Sequence, residues 1–398
     1  MMPSSATVLV TDGEHRASLA VTRSLGRAGY RVIVSSPRGR TIAGASRFAS
    51  GSVVTPDPLS DPSGFIAALR GQCEAHKVQV LIPISDQSLG PVLDARASFG
   101  GVTIPFPPRD AYRRISDKGL LLEEAAALGI TVPSQVVLAG PPSSTVLDRV
   151  GFPAVLKPAR SVIKTPASQV KLSVGHSASR EQLEASLALL PDSAYPILVQ
   201  QRVVGPGLGV FLLMADGAPL AAFGHRRILE KPPSGGVSAC SESVAVDPDL
   251  LRKSVELLRR FEWEGVAMVE YKLNSLTGQP FLMEVNGRFW GSLQLAIDAG
   301  VDFPRLLVDH ALGRDVAPVT SWPAGVRCRW RLGEVDHFIA RLRRSRQALS
   351  LPPDAPSFGS ALAHAFVPAL SPRARGEVCR LDDPMPQIVE LLDWVRGR

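Results

Sequence analysis

The spacing of apolar residues in this chain changes period several times. Over the first hundred residues, short apolar runs alternate with helical spacing. Val8–Val10 leads to a turn at Asp12–Gly13, then a helical pattern from about Ala17 to Arg27 that Gly29 caps. Arg31–Ser35 is the next strand, Ser63–His76 the next helix and Val80–Ser85 the strand after it. Strand, helix and strand in that cadence predict a parallel sheet with helices on its faces. A proline-rich linker (Pro105, Pro107, Pro108) closes the unit, and Asp110–Gly129 has the spacing of one helix. Short strands in GITVPS, GFPAVLKPA, VKLSV and YPILVQQ follow, with helical stretches between them. Alternation from Gly207 to Val246 predicts antiparallel strands, and Pro248–Phe261 a helix. Val266–Ser292 reads as strand, turn and strand, with helices at about Gly291–Ala299 and Phe303–Leu312 beyond it. In the tail, Val326–Trp330 reads as a strand and Glu334–Leu349 as a basic helix. A proline-interrupted linker at Leu351–Pro356 and an amphipathic helix at Pro386–Val395 complete it, and no repeat of fixed period occurs.

The strand–turn–strand unit carries the densest chemistry. Side chains alternate faces along a strand, so Glu270 and Lys272 share one face of the first strand, and Glu284 and Asn286 share one face of the second. A symmetrically closed loop puts Glu270 opposite Glu284. Carboxylates opposed across a ladder repel, so the pair needs a cation. Two carboxylates and an amide oxygen are hard ligands suited to Mg²⁺ that also holds substrate phosphates. Arg288 follows as a positive fork for phosphate or carboxylate. The bland alternative is a half-buried hairpin whose acidic face is merely solvated.

Composition narrows the class. The 398 residues suffice for two or three domains, and 45% hydrophobic with 20% charged residues is ordinary for a soluble globular chain. No apolar run is long enough to span a bilayer, and no secretory signal is visible at the start. The four cysteines (Cys73, Cys240, Cys328, Cys379) form no CxxC pair, so a reducing cytoplasm is the default and a disulfide framework or zinc site is not expected. The net charge of +7 rests mainly on arginine. Those arginines are scattered except near Arg327–Arg346, with no nucleic-acid-binding pattern, so an anionic small substrate accounts for the excess as well. A membrane or nucleic-acid role for that cluster is a minor alternative, since most charge runs are solvated faces.

Other motifs are weaker alone. The first turn is TDGEHR, not GxGxxG, so a dinucleotide fingerprint is missing from the first unit; no GxxxxGK[ST] occurs anywhere. Lys157 ends an apolar strand and Lys118 opens a helix; each suits a phosphate, and each is more often a surface lysine. In HRRILEKPPSGG (His225–Gly236), two arginines precede a loop able to form an anion nest, whereas His225 suits a structural role. GPGLG (Gly205–Gly209) precedes a strand and reads as a turn.

Taken together, Asp117–Lys118, Leu156–Pro158, LVQQRVVG (Leu198–Gly205), VEYK (Val269–Lys272) and MEVNGRFWGS (Met283–Ser292) resemble, in order and spacing, the ATP-grasp ligases. The likeness is to the carbamoyl-phosphate-synthase-like branch and to predicted carboxylate–amine ligases, over about Val8 to Leu312. The resemblance implies an α/β chain: a Rossmann-like pre-ATP-grasp domain at 1–108 and a two-subdomain α+β ATP-grasp fold at 109–313, split at 202/203. An extension of uncertain structure follows at 314–398. It implies ATP and Mg²⁺, with Mn²⁺ as a substitute, and small carboxylate and amine substrates joined through an acyl phosphate. Lys118 and Lys157 would contact phosphates. Leu198–Val203, with Gln200 and the backbone of Gln201 and Val203, would hold adenine. Glu270, Glu284 and Asn286 would hold the metal, and Arg288, Arg226 and Arg227 would serve the reacting groups. Nucleic acid is not an expected partner, and dimers in the family leave a homodimer open. Two departures stand out: segment 159–168 lacks the glycines expected of a loop closing over the triphosphate, and Gln201 and Pro206 stand where acidic residues are common. The segment motivates a second reading, a nucleotide-binding module with weak or no ligase activity.

Overall fold

In the computed structural model, residues 6–397 are described except 142–146, 149, 159–161, 165–168, 172–174, 350, 352–354 and 367–373. Strands β1 (Thr7–Val10), β2 (Arg31–Ser36), β3 (Gly51–Val54) and β4 (Val80–Ile82) form a parallel sheet in the order β3-β2-β1-β4. Helices α1 (Arg16–Arg27), α2 (Pro62–His76) and α3 (Asp86–Asp94) belong to this unit. The missing glycine fingerprint has a physical counterpart. Asp12, buried and at φ 56°, turns its carboxylate into the crossover, where it accepts from the Ser85 amide (3.0 Å) and the Ser88 hydroxyl (2.6 Å). The chain's own side chain fills the turn.

The stretch predicted as one helix over 110–129 is two, α4 (Arg109–Ser116) and α5 (Lys118–Ala127). Asp117 leaves the helical conformation (ψ 106°) so that its carboxylate can accept from the amides of Gly119 and Leu120, capping α5. A second sheet combines β5 (Gln135–Leu138), β6 (Ala154–Pro158), β9 (Gly175–Ser177) and β10 (Ile197–Gln201) in the order β5-β10-β6-β9. Between them lie the antiparallel pair β7 (Val162–Lys164) and β8 (Gln169–Lys171), and α6 (Arg180–Ala188) follows β9. The glycine-free segment 159–168 falls largely outside the described residues.

The third sheet has seven strands. They are β11 (Gly207–Ala215), β12 (Ala218–Lys231), β13 (Val237–Ser243), β14 (Gly265–Leu273), β15 (Pro280–Asn286), β16 (Arg327–Arg329) and β17 (Ala374–Gly376), ordered β15-β14-β11-β12-β13-β16-β17. Helices α7 (Pro248–Arg260), α8 (Leu293–Asp298) and α9 (Phe303–Ala311) accompany it. Gly207 and Gly209, read from sequence as a turn, lie within β11. A Cβ at Gly207 would stand 2.9 Å from Cδ of Arg227, so the bare backbone leaves that arginine its path across the sheet.

The C-terminal extension is built into this frame. It adds β16, α10 (Arg331–Arg343), α11 (Phe358–Phe366), β17 and α12 (Met385–Val395). Helix α10 starts and stops earlier than the 334–349 reading, because Arg344 is already extended (φ −132°, ψ 145°). Arg23 of α1, fully buried, binds the extension four times. Its Nε donates to Asp383 at 2.8 Å, and its terminal nitrogens donate to the carbonyls of Glu377 (2.9 Å), Val378 (2.8 Å) and Asp383 (3.2 Å). Among the described residues, no helix is long and apolar enough to cross a membrane.

Candidate active site

Strands β14 and β15 pair with Glu270 directly opposite Glu284 and Met268 opposite Asn286. The opposed carboxylates receive cations from three directions. Nζ of Lys118, at the start of α5, stands 3.1 Å from Glu284. Arg227 of β12 binds Glu270 at 2.7 Å and Glu230 at 2.8 Å. Lys157, at the end of β6 in the second sheet, is half-buried and feels the field of Glu284 and Glu270. Burial lowers its ammonium pKa, against the pull of those carboxylates and with the push of Lys118 and Lys272. Burial pushes Glu284 up, but Lys118, Lys157 and the hydrogen bond from Asn286 outweigh it and bring its carboxyl down to about 2. Glu284 is therefore an anion at any physiological pH.

Asn286 and Arg288 extend the same face. The Asn286 amide donates to Glu284 at 3.0 Å, and its oxygen accepts from Arg288 at 3.1 Å. Gly287 between them lets the ribbon close on the core, since a Cβ there would meet the buried Trp263 ring at 2.2 Å. Arg288 Nε donates to Asp86 at 2.8 Å, across to the N-terminal unit, and the Tyr112 hydroxyl donates to the other oxygen of Asp86 at 3.0 Å. Burial opposes the charge of Arg288, but Asp86 holds its pKa above the ordinary value.

Lys118, Lys157, Arg227, Glu270, Glu284, Asn286 and Arg288 thus converge. Arg226 does not join them. Neighbouring residues of a strand face opposite ways, so Arg226 points away from Arg227; it is 48% exposed and pairs with Glu242 at 3.3 Å. In the expected adenine segment, Gln200 is buried and donates to Gln135 at 2.7 Å, while the Gln201 amide donates to the Ser134 carbonyl at 2.9 Å. Val203 follows β10 without a backbone hydrogen-bond partner among the described residues. His225 is the structural histidine expected. It stacks on Phe211 (4.6 Å), shares a hydrogen bond with Ser292 (2.9 Å), and burial takes its pKa down to about 3.

Sequence reasoning missed Asp86 and Glu230. The only available signal for Asp86 was its place just past the carboxyl end of a parallel strand, where open sheets put their ligand groups. As a donor set, Glu270, Glu284 and Asn286 fit a hard divalent cation: three oxygen-bearing side chains share one face, and exchangeable ammonium and guanidinium groups compensate them. Cys240, Glu334 and His364 also bring ligand atoms within 4.8 Å of one another. There, however, Arg329 already grips both oxygens of Glu334, at 2.8 and 2.9 Å.

A family model described as ATP-grasp in the biosynthetic pathway with Ter operon matches residues 194–333. Solved structures share the fold across most of the chain. An L-amino acid ligase from Bacillus licheniformis aligns with a TM-score of 0.59 at 15% identity, over 78% of this chain and 75% of its own. Biotin carboxylase from Campylobacter jejuni, as a β-γ-ATP complex, gives 0.63 at 15% over 81% and 74%. N5-carboxyaminoimidazole synthetase from Staphylococcus aureus, complexed with ADP, gives 0.58 at 14% over 81% and 80%. No curated protein matches the chain significantly in sequence.

Proposed function

We propose that this chain, which carries an N-terminal Rossmann-like domain and the ATP-grasp fold, is an ATP-dependent carboxylate–amine ligase. One observation carries the reading: Lys118, Lys157 and Arg288, from three separate parts of the chain, meet over the opposed Glu270 and Glu284 of one hairpin. That is a surface on which a triphosphate replaces carboxylates as partner of the lysines. Glu270, Glu284 and Asn286 would hold Mg²⁺ or Mn²⁺, which supplies charge compensation to the triphosphate when bound. A substrate carboxylate oxygen attacks the γ-phosphorus, and the bond from that phosphorus to the ADP oxygen breaks. Charge spreads over the transferred group, and Lys118, Lys157 and Arg288 stabilise it there. An amine then displaces phosphate from the acyl phosphate to leave an amide. The backbone of Gln201 and Val203 would receive adenine beside Gln200. Arg227 serves by holding Glu270, whereas Arg226 has no place in this scheme.

The test is Glu284→Ala. ADP release should vanish while the circular dichroism spectrum and melting cooperativity stay native; undiminished release would refute the assignment. The glycine-free 159–168 segment favours a second reading, nucleotide binding without ligation. Calorimetry showing Mg-ATP binding, with no ADP release over a panel of carboxylates and amines, would select it.

A further inference from the structure

Beside the hairpin lies a cavity of about 460 Å³, within the size range of small-molecule sites. It opens past the carboxyl ends of the parallel strands: Glu14 and Arg16 follow β1, Arg38 follows β2, and Asp86 follows β4. Arg288 forms the side toward the hairpin. Further wall comes from Lys231 of β12 and Val237 of β13, and from the C-terminal extension through Trp330, Asp336, Glu390, Asp393 and Trp394.

The charges of this cavity do not cancel internally. Arg16 is bound by Glu377, Lys231 by Asp336 and Arg288 by Asp86. Glu14, Glu390 and Asp393 have no ion-pair partner among the described residues, and of the lining cations only Arg38 lacks one. Two of those acids are held in position by neutral donors: the Ser36 hydroxyl donates to Glu14 at 2.7 Å and the Trp330 indole to Glu390 at 2.6 Å. The Trp330 ring itself already carries Arg16 at 3.9 Å and Lys231 at 4.9 Å, so an entering cation meets carboxylates and not that ring.

We propose that this cavity is the amine subsite of the ligase: it takes an amino-acid-like zwitterion as an ammonium held by Glu14, Glu390 and Asp393, with Arg38 for its anionic group. The assignment rests on the ligase reading. In the joining step, the ammonium gives one proton to a cavity carboxylate. Its nitrogen lone pair then attacks the acyl carbon. As the N–C bond forms, the C–O bond to phosphate breaks and its electron pair leaves with inorganic phosphate; the surplus nitrogen proton and the carboxylate's proton pass to solvent. The extension, through Glu390 and Asp393, thereby selects the acceptor.

The experiment uses the full chain with Mg-ATP. ADP release is measured over pairwise mixtures of the twenty proteinogenic amino acids, with putrescine and cadaverine as further acceptors. In parallel, neutral hydroxylamine traps acyl phosphate as hydroxamate without needing an ammonium site. For an active pair, Asp393→Asn and Glu14→Gln should each raise the acceptor KM about ten-fold, the loss expected for one charge-assisted hydrogen bond, while ATP KM and hydroxamate formation stay at wild-type values. Unchanged acceptor KM, or hydroxamate formation falling in step with ligation, overturns the subsite. Wild-type protein giving neither ADP nor hydroxamate overturns the ligase reading, and the subsite with it. Activity confined to the diamines overturns the zwitterion.

Discussion

Asp86→Asn isolates the contact through which the N-terminal unit reaches the reacting end of the site. Asparagine keeps the shape of Asp86 and an acceptor for Tyr112, and removes only the charge that fixes Arg288 at 2.8 Å. A hydrogen bond between charged groups contributes about 1.5–3 kcal/mol. Here the two side chains are 24% and 31% exposed, so solvent screening reduces the value to about 1–2 kcal/mol. If Arg288 stabilises the transferring phosphoryl group, loosening it by that amount slows kcat by about 5- to 30-fold. The KM for ATP should hardly move, because the lysines and the hairpin are untouched. Steady-state ADP release gives both constants, and a melting curve checks the fold. Asp86 acts through another residue, so a double mutant separates positioning from general damage. In an Arg288→Lys background, where the planar fork is gone, Asp86→Asn should add little. A folded Asp86→Asn protein with wild-type kcat, or full additivity in the double mutant, would refute the reasoning.

Two further changes test the sheet beneath the site. His225 stays neutral in the folded protein down to about pH 3, whereas the unfolded chain takes up a proton below about 6.5. Its contribution to stability is thus present above pH 6.5 and is lost as pH falls toward 3, by about 1.4 kcal/mol per unit. Urea unfolding from pH 7 to 4 should show that slope removed in His225→Gln; parallel curves for the two proteins would contradict it. Gly207→Ala places a methyl 2.9 Å from Arg227 Cδ, shifting that guanidinium off Glu270 and lowering stability by about 1–3 kcal/mol. Its melting temperature should fall and recover with saturating Mg²⁺-nucleotide, and an unshifted melt would count against the role given to Gly207.

The hairpin was legible because period-two alternation and a short loop together dictate which side chains oppose one another; no distant information is needed to place Glu270 against Glu284. The parallel unit was legible for the same local reason. Other features depend on contacts that sequence spacing does not encode. Arg226 and Arg227 look equivalent in the chain, and only the pairing of β12 with its neighbours decides which one reaches Glu270. Gly207 and Gly209 resemble a turn until the guanidinium that crosses over the first of them is known. Asp86 is 202 positions from Arg288, so its role belongs to the docking of two units. The break at Asp117 was hidden because one side chain traded helix continuity for two cap hydrogen bonds.

Arg23 draws the beginning and the end of the polypeptide into one fastening: a buried guanidinium in the first helix is satisfied by groups at 377–383. A chain cut at 313 would lose all four of those charge-assisted hydrogen bonds at once and open that face of the first helix to water, a loss of several kcal/mol. What looks like an appendage in the sequence is a clasp, and trimming it should unseat the first domain as well as remove the wall that carries Glu390 and Asp393.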